Sequence, residues 1–268
     1  MKVLRIVFGA LLAMSLPISA QQAPARSPSL GIPGAQQESF SLRGDYERLG
    51  LKPKTQGKSE CTLHATLDVL EFDYAKAGQP VALSATFAKW VRSPGKPWAD
   101  YTHLISGIQK YGLCREELMP STGEDIAPTP SPAAFSDAAN RRNVRVLYFA
   151  TNRSRKTQFG FSDEEIRKIC LSIKEGLPVA CGVTWPTTAA ANFGRRNEYT
   201  LDTVIFPTTA PGHSVVLTGY EIGERWEGRG RMQFRNSHGE KWGDAGYGWL
   251  TFGYLKKNGE AAWAIHKR

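Results

Sequence analysis

The sequence has little cysteine: Cys61, Cys114, Cys170 and Cys181 are its four cysteines in 268 residues. So few thiols exclude a small scaffold held together by disulfides. Cys170 and Cys181 fall on a predicted helix and on the strand predicted after it, and spacing alone does not show whether they pair. The fold must therefore rest on a hydrophobic core.

Beyond its first residues the chain also lacks any apolar run long enough to cross a membrane. A basic start and the short apolar run 6–14 precede small residues at Ser19-Ala20. This layout is typical of a secretory signal peptide over 1–20. We expect a secreted or periplasmic protein without stable membrane insertion.

The basic residues form no stripe interleaved with aromatic side chains, which is the pattern of single-strand binders. They lie in small scattered groups, although the formal net charge is +9. We therefore expect no nucleic-acid partner. A basic surface favours electrostatic contact with anionic envelope polymers instead.

Residues 21–44 are rich in Pro, Gln, Ser, Gly and Ala and show no periodicity. They are predicted to be a flexible linker or a short pro-segment. The domain is then expected over 45–268, and no internal repeat divides it. Hydrophobic residues make up 41% of the chain, which is enough to build a substantial core.

The first half of this domain reads as helical. A helix is predicted over 61–76, apolar on nearly every side and therefore buried. Ser84 is a candidate cap for a second helix over 85–91. A third is predicted over 101–111, ended by Gly112.

The second half reads mainly as strands. The stretch 144–150 is β-branched and aromatic, and Ser162 opens a helix to 174 with a capping-box pattern. Further strands are predicted over 178–184, 214–221, 230–235 and 246–252. Helices first and strands later predict an α+β fold with a helical lobe over about 57–135 and a strand-rich lobe over about 140–268. The irregular stretch 120–132 marks the boundary between them.

Cys61 lies on the first turn of the predicted buried helix, after the polar turn Gln56-Gly57. The positive end of the helix dipole and its unpaired N–H groups favour a thiolate at that place. The alternative is a small buried hydrophobic residue.

Two polar residues downstream favour the nucleophile. His213 begins an apolar strand, and Asn236 follows a strand and precedes a turn rich in Gly and Trp. Alone, such residues are more often structural than catalytic. Together with Cys61 they supply a nucleophile, a base and a group that orients the base.

From about Asp45 onward the chain resembles the papain-like cysteine peptidases. Three motifs carry the resemblance, and the last has seven matches in a fixed frame. They are Gln56-Gly57 with Cys61; His213-Ser214-Val215 with Gly219-Tyr220; and Asn236-Ser237-His238-Gly239 with Trp242-Gly243 and Gly246-Tyr247.

The resemblance implies a two-lobe fold with the active site in the cleft between the lobes. It implies that Cys61 attacks a peptide carbonyl, that His213 moves the proton and that Asn236 orients the imidazole. The side chain of Gln56 and the backbone N–H of Cys61 would form the oxyanion hole. Substrates would be proteins or peptides, cut by an endopeptidase or exopeptidase, and no metal or organic cofactor is implied.

The chain departs from the family pattern at three places. The span from Gln56 to Cys61 is five steps instead of six, so the turn must compensate for a shift of up to ~3.5 Å. His64 stands in the segment that replaces Trp-Ala-Phe; it reaches the site, is buried, or pairs with Cys61 as zinc ligands. His238 replaces a Trp that shields the contact between Asn and His, so weaker shielding is expected.

The sequence is also compatible with two other classes of function. One is a catalytically impaired papain-like protein that acts as a binding module. The other is a Cys-His hydrolase that cuts cell-wall peptides or amides.

Overall fold

The computed structural model describes residues 38–94, 100–151, 160–186, 199–202 and 211–268. The predicted signal peptide over 1–20 lies outside the described residues, and so does the part of the predicted linker before Glu38. Among the described residues, no helix has the length and apolarity needed to cross a membrane.

Most helices of the described chain come before most of its strands. The helices are α1 (Arg43–Arg48), α2 (Cys61–Lys76), α3 (Ala85–Arg92), α4 (Tyr101–Tyr111), α5 (Pro132–Ala139), α6 (Asp163–Lys174) and α7 (Phe252–Asn258). The strands are β1 (Glu38–Ser41), β2 (Val144–Ala150), β3 (Val179–Thr184), β4 (Thr200–Leu201), β5 (Gly212–Ile222), β6 (Gly230–Arg235), β7 (Tyr247–Thr251) and β8 (Gly259–Lys267).

The predicted helix boundaries are confirmed by their caps. The Ser84 hydroxyl accepts the Phe87 N–H at the start of α3. Ser162 and Glu165 form the predicted capping box of α6. Gly112 ends α4 at φ 80°, and a Cβ there would lie 1.8 Å from a backbone oxygen of α5. No other residue fits that place without backbone movement.

The strands form one mixed sheet in the order β2-β8-β3-β5-β6-β7-β4, and β1 pairs with the end of β5. Among the strands that the structure describes, every pair is antiparallel except β4 with β7. This confirms the α+β class. The predicted strands over 144–150, 178–184, 214–221, 230–235 and 246–252 are all present, with small shifts at their ends.

The sheet separates two hydrophobic clusters because successive side chains of a strand point to opposite faces. Val179, Cys181 and Val183 of β3 pack in one cluster with α6 and α7, whereas Ala180 packs in the other with α2 to α5. Helix α2 lies against β3, β5 and β8. Its first turn therefore lies close to the strand that carries His213.

One expectation needs correction. The flexible linker predicted over 21–44 does not reach residue 44, since 38–41 form β1 and α1 begins at Arg43. Leu42 is buried in the core beside this strand, which gives the segment a reason to order. Helix α7 and strand β8 were not predicted; β8 alternates small residues with Trp263 and Ile265, a weak sequence signal.

Candidate active site

Cys61 is the one cysteine of the four that is not buried. The thiols of Cys114, Cys170 and Cys181 lie in the core, and burial raises the pKa of Cys114 to about 12 and the pKa of the other two further. All four cysteines are free, so the conceivable bridge between Cys170 and Cys181 is absent. Only Cys61 combines solvent access with a helix N-terminus, the setting of a reactive thiol.

His213 and Asn236 are in direct contact. His213 Nε2 lies 2.8 Å from Asn236 Oδ1, which also accepts the backbone N–H of Ser237 at 2.9 Å. A side-chain carbonyl only accepts hydrogen bonds, so Nε2 carries the hydrogen and Nδ1 of the neutral ring is free to take a proton. Burial lowers the pKa of His213, and the hydrogen bond to Asn236 partly opposes this.

Cys61 and His213 line the same cleft, which has a volume of about 250 Å³. The residues that follow them, Thr62 and Ser214, also line it, and their hydroxyl oxygens lie 3.1 Å apart. This contact joins the start of α2 to the start of β5. The structure thus brings together the predicted nucleophile and the predicted base.

Gln56 is held against the turn that follows Asn236. Its backbone N–H donates to the Ser237 carbonyl at 2.8 Å, and its Oε1 accepts the Ser237 hydroxyl at 2.6 Å. The Nε2 atom carries the two N–H donors of this side chain. One of them donates to the Gly57 carbonyl at 3.2 Å. The second hydrogen of Nε2 is available to a ligand.

The short span from Gln56 to Cys61 is closed by Glu60, a residue that sequence reasoning missed. Glu60 Oε2 accepts the Gly57 N–H at 2.7 Å, and Ser59 takes a positive φ of 58°. These two features set the shape of the shortened turn. The sequence shows only that a glutamate directly precedes Cys61. The structure shows that this glutamate is 2% exposed.

His64 is buried and faces Glu60, with Nε2 3.5 Å from Oε2. Its burial and its contact with Glu60 support a structural role for His64. Among the described residues no three His, Cys, Asp or Glu side chains are grouped as metal ligands.

His238 lies beside the contact between His213 and Asn236. Its ring centroid is 5.1 Å from that of His213, and its Nδ1 is 3.3 Å from Asn236 Nδ2. Trp185 packs edge-on against His213 at 4.6 Å. With His238 at this place the contact is still shielded from water, since Asn236 is 2% exposed and His213 8% exposed.

An ion pair of a buried arginine also anchors Asn236 to the helix that carries Cys61. Arg235, directly before Asn236, lies 2.8 Å from the Asp68 carboxylate of α2. Its guanidinium also donates to the Leu51 carbonyl and lies over the Tyr46 ring. The two sides of the cleft are thus held together close to the reactive groups.

No family model and no curated protein sequence matches the chain. Solved structures do match its fold. Xylellain, a cysteine protease from Xylella fastidiosa, aligns at 18% identity over 81% of this chain and 83% of its own, with a TM-score of 0.63. The proform of Amb a 11, a cysteine protease of ragweed pollen, aligns at 18% identity over 89% and 69%, with a TM-score of 0.64.

A clostridial cysteine protease, Cwp84, aligns at 16% identity over 86% of this chain and 58% of its own, with a TM-score of 0.59. All three are cysteine proteases of papain-like architecture. The expected papain-like fold is thereby confirmed.

Proposed function

We propose that the chain is a cysteine peptidase in which Cys61 is the nucleophile, His213 the general base and acid, and Asn236 the residue that orients His213. One observation carries the proposal. The accessible thiol at the start of α2 shares a cleft with an imidazole whose Nε2 is held by Asn236 Oδ1. This arrangement leaves Nδ1 for exchange with the thiol.

The proposed reaction follows from these roles. His213 Nδ1 takes the proton of Cys61, and the thiolate attacks the carbonyl carbon of a peptide bond. The C–N bond then breaks, and the imidazolium gives its proton to the leaving amine. Water, activated by the same imidazole, hydrolyses the thioester and frees Cys61.

Gln56 and Cys61 supply the proposed oxyanion hole. The donors are the second hydrogen of Gln56 Nε2 and the backbone N–H of Cys61, which is unpaired within the helix because it belongs to the first turn. One such donor contributes ~3 kcal/mol to stabilisation of the transition state. No metal or organic cofactor enters this scheme.

The proposed substrates are proteins or peptides outside the cytoplasm, since residues 1–20 have the pattern of a secretory signal peptide. The formal net charge of +9, to which Lys2 and Arg5 of that segment contribute two, stays clearly positive without the segment. It favours contact with anionic envelope polymers where such substrates lie. Cleavage within chains and cleavage at their ends are both compatible with this chemistry.

Labelling tests the proposal directly. The purified protein is treated with an epoxysuccinyl inhibitor of papain-type enzymes, and modified residues are mapped by mass spectrometry. We expect one label on Cys61, none on the buried Cys114, Cys170 and Cys181, and no label in Cys61→Ala. A folded protein whose Cys61 stays unmodified would contradict the proposal and favour a binding module.

A turnover comparison separates peptidase from cell-wall hydrolase. Casein peptides and peptidoglycan are incubated with the wild type and with Cys61→Ala at equal concentration. We expect release of new amino termini from casein by the wild type alone. Turnover confined to peptidoglycan would instead assign a cell-wall amide bond as the substrate.

A further inference from the structure

Glu60 and Lys89 form an ion pair that is withdrawn from water beside the candidate active site. Lys89 Nζ lies 2.6 Å from Glu60 Oε1. Lys89 is 3% exposed and Glu60 is 2% exposed. Desolvation makes such a pair a poor source of net stability. Its best-attested use is to select one geometry, so the geometry it selects is the informative part.

The pair holds the turn between Gln56 and Cys61 from two sides. Glu60 Oε2 accepts the Gly57 N–H at 2.7 Å, so the carboxylate bridges the turn to α3. Lys89 Nζ also donates to the backbone carbonyl of Glu124. The loop that contains Glu124 packs against the turn, since a Cβ at Gly57 would lie 2.9 Å from the Gly123 Cα.

The groups around the carboxylate come from two helices. His64 of α2 lies 3.5 Å from Glu60 Oε2, and Lys89 lies on α3. Arg92 of α3 is also near: burial lowers its pKa, and the charges of Cys61 and Glu60 oppose that effect. The hydrogen bonds of His64 and Lys89 and the N–H of Gly57 outweigh burial and lower the pKa of Glu60 to about 2.

We propose that Glu60 and Lys89 are positioning residues that fix the five-step turn, so that Gln56 Nε2 and the Cys61 N–H converge on one point in the cleft. In the family pattern the turn from Gln to Cys is one residue longer. Here the ion pair fixes the direction of the shorter turn. This inference rests on the proposed peptidase function, because the converging donors matter only if an oxyanion forms.

The double variant Glu60→Gln/Lys89→Gln tests the inference, since it removes both charges and keeps polar groups of similar size. We expect kcat on a peptide substrate to fall at least about tenfold, with KM within about twofold, because the displaced donors act in the transition state. The rate at which iodoacetamide alkylates Cys61 needs no oxyanion donor and should change by less than about threefold.

The matched control is Glu38→Gln/Lys174→Gln, a pair at 2.7 Å between β1 and α6. It is expected to leave kcat within about twofold of wild type. A folded Glu60→Gln/Lys89→Gln protein with wild-type kcat would overturn the inference. If that protein does not fold, Glu60→Gln alone is measured, and an unchanged kcat overturns the inference in the same way.

Amide exchange separates the failure of this inference from failure of the proposed function. The Gly57 N–H should be protected in the wild type and exchange at least about tenfold faster in the double variant. Equal exchange in both overturns the positioning role even if peptides are cleaved. The Gly57 N–H could exchange faster in the double variant while the wild type neither cleaves peptides nor is labelled at Cys61. That result would support the constraint on the turn and contradict the proposed peptidase function.

Discussion

The hydroxyl oxygens of Thr62 and Ser214 lie 3.1 Å apart and connect the residue after Cys61 to the residue after His213. Because each neighbour is one peptide unit away, this contact limits how far the thiol and the imidazole can separate. Misplacement of reacting groups by about 1 Å can cost about 100-fold in rate. We therefore expect the contact to affect activity more than stability.

Ser214→Ala tests this contact. We expect a loss of ~1 kcal/mol in the free energy of unfolding and a larger proportional loss in kcat, about five- to tenfold. Thr218→Val is the control, since it removes a buried hydroxyl from the same strand that contacts Gln233 outside the cleft. Equal kcat losses in the two variants would mean that the contact is structural only. Unfolding in urea and steady-state kinetics provide the two measurements.

Asn236→Ala should leave His213 without its orienting acceptor. We expect kcat/KM to fall about 10- to 100-fold, because the ring can then rotate and change its tautomer. Ser237→Ala is the comparison: its backbone N–H still donates to Asn236, and only the hydroxyl contact with Gln56 is lost. An Asn236→Ala enzyme with wild-type kcat/KM would show that the 2.8 Å contact does not orient the base.

His238 offers a comparison between shielding and hydrogen bonding. His238→Trp restores a large apolar cover but has no acceptor for Asn236 Nδ2, whereas His238→Asn keeps an acceptor in a smaller side chain. We expect His238→Asn to retain more than half of wild-type kcat/KM and His238→Trp to lose about threefold. The reverse order would assign His238 a shielding role.

The acid limb of the pH–rate profile checks the same residue. Burial lowers the pKa of His238, and the neighbouring His213 lowers it further. Protonation at lower pH turns the acceptor into a donor and places a cation beside His213. The limb should therefore be shallower in His238→Trp than in the wild type, and an unchanged slope would contradict this.

Gly57→Ala tests the space behind the turn. A Cβ at this position would lie 2.7 Å from Glu60 Oε2 and 2.9 Å from the Gly123 backbone, so the turn has to move. We expect kcat to fall at least about tenfold through displaced oxyanion donors. Gly44→Ala is the control, since a Cβ there meets nothing within 4 Å. Its kcat should match the wild type, and a Gly57→Ala enzyme that also matches would refute the steric argument.

The stability of the fold should depend on Glu60 in acid. The pKa of this carboxyl is lowered from 4.5 to about 2, so the folded state binds fewer protons than the unfolded state between these values. Its contribution is complete above pH 4.5 and is lost as the pH falls toward 2. The Tm difference between wild type and Glu60→Gln should therefore shrink over this range, whereas a difference constant with pH would contradict the lowered pKa.

The acid sensitivity of His213 has the same sign. Burial lowers its pKa from the usual value of 6.5, so the neutral ring stabilises the fold fully above that value. The stabilisation decreases as the pH falls, because the unfolded chain takes up the proton first. Both groups thus predict a fold that weakens in acid.

Much of this protein could be predicted from local patterns. The boundaries of α2, α3, α4 and α6 follow from caps and terminators such as Ser84, Ser162 and Gly112, which act over three or four residues. Strand β8 was missed, since its alanines carry no strand preference and its place is set by pairing with β2 and β3.

The candidate site divides in the same way. Cys61, His213 and Asn236 could be predicted from the sequence, since a motif needs only residue types and spacing. The contact of Glu60 with Lys89 and the packing of Trp185 against His213 could be seen only in the folded chain. These contacts join residues that are distant along the chain, and their energies depend on burial, which no local pattern reports.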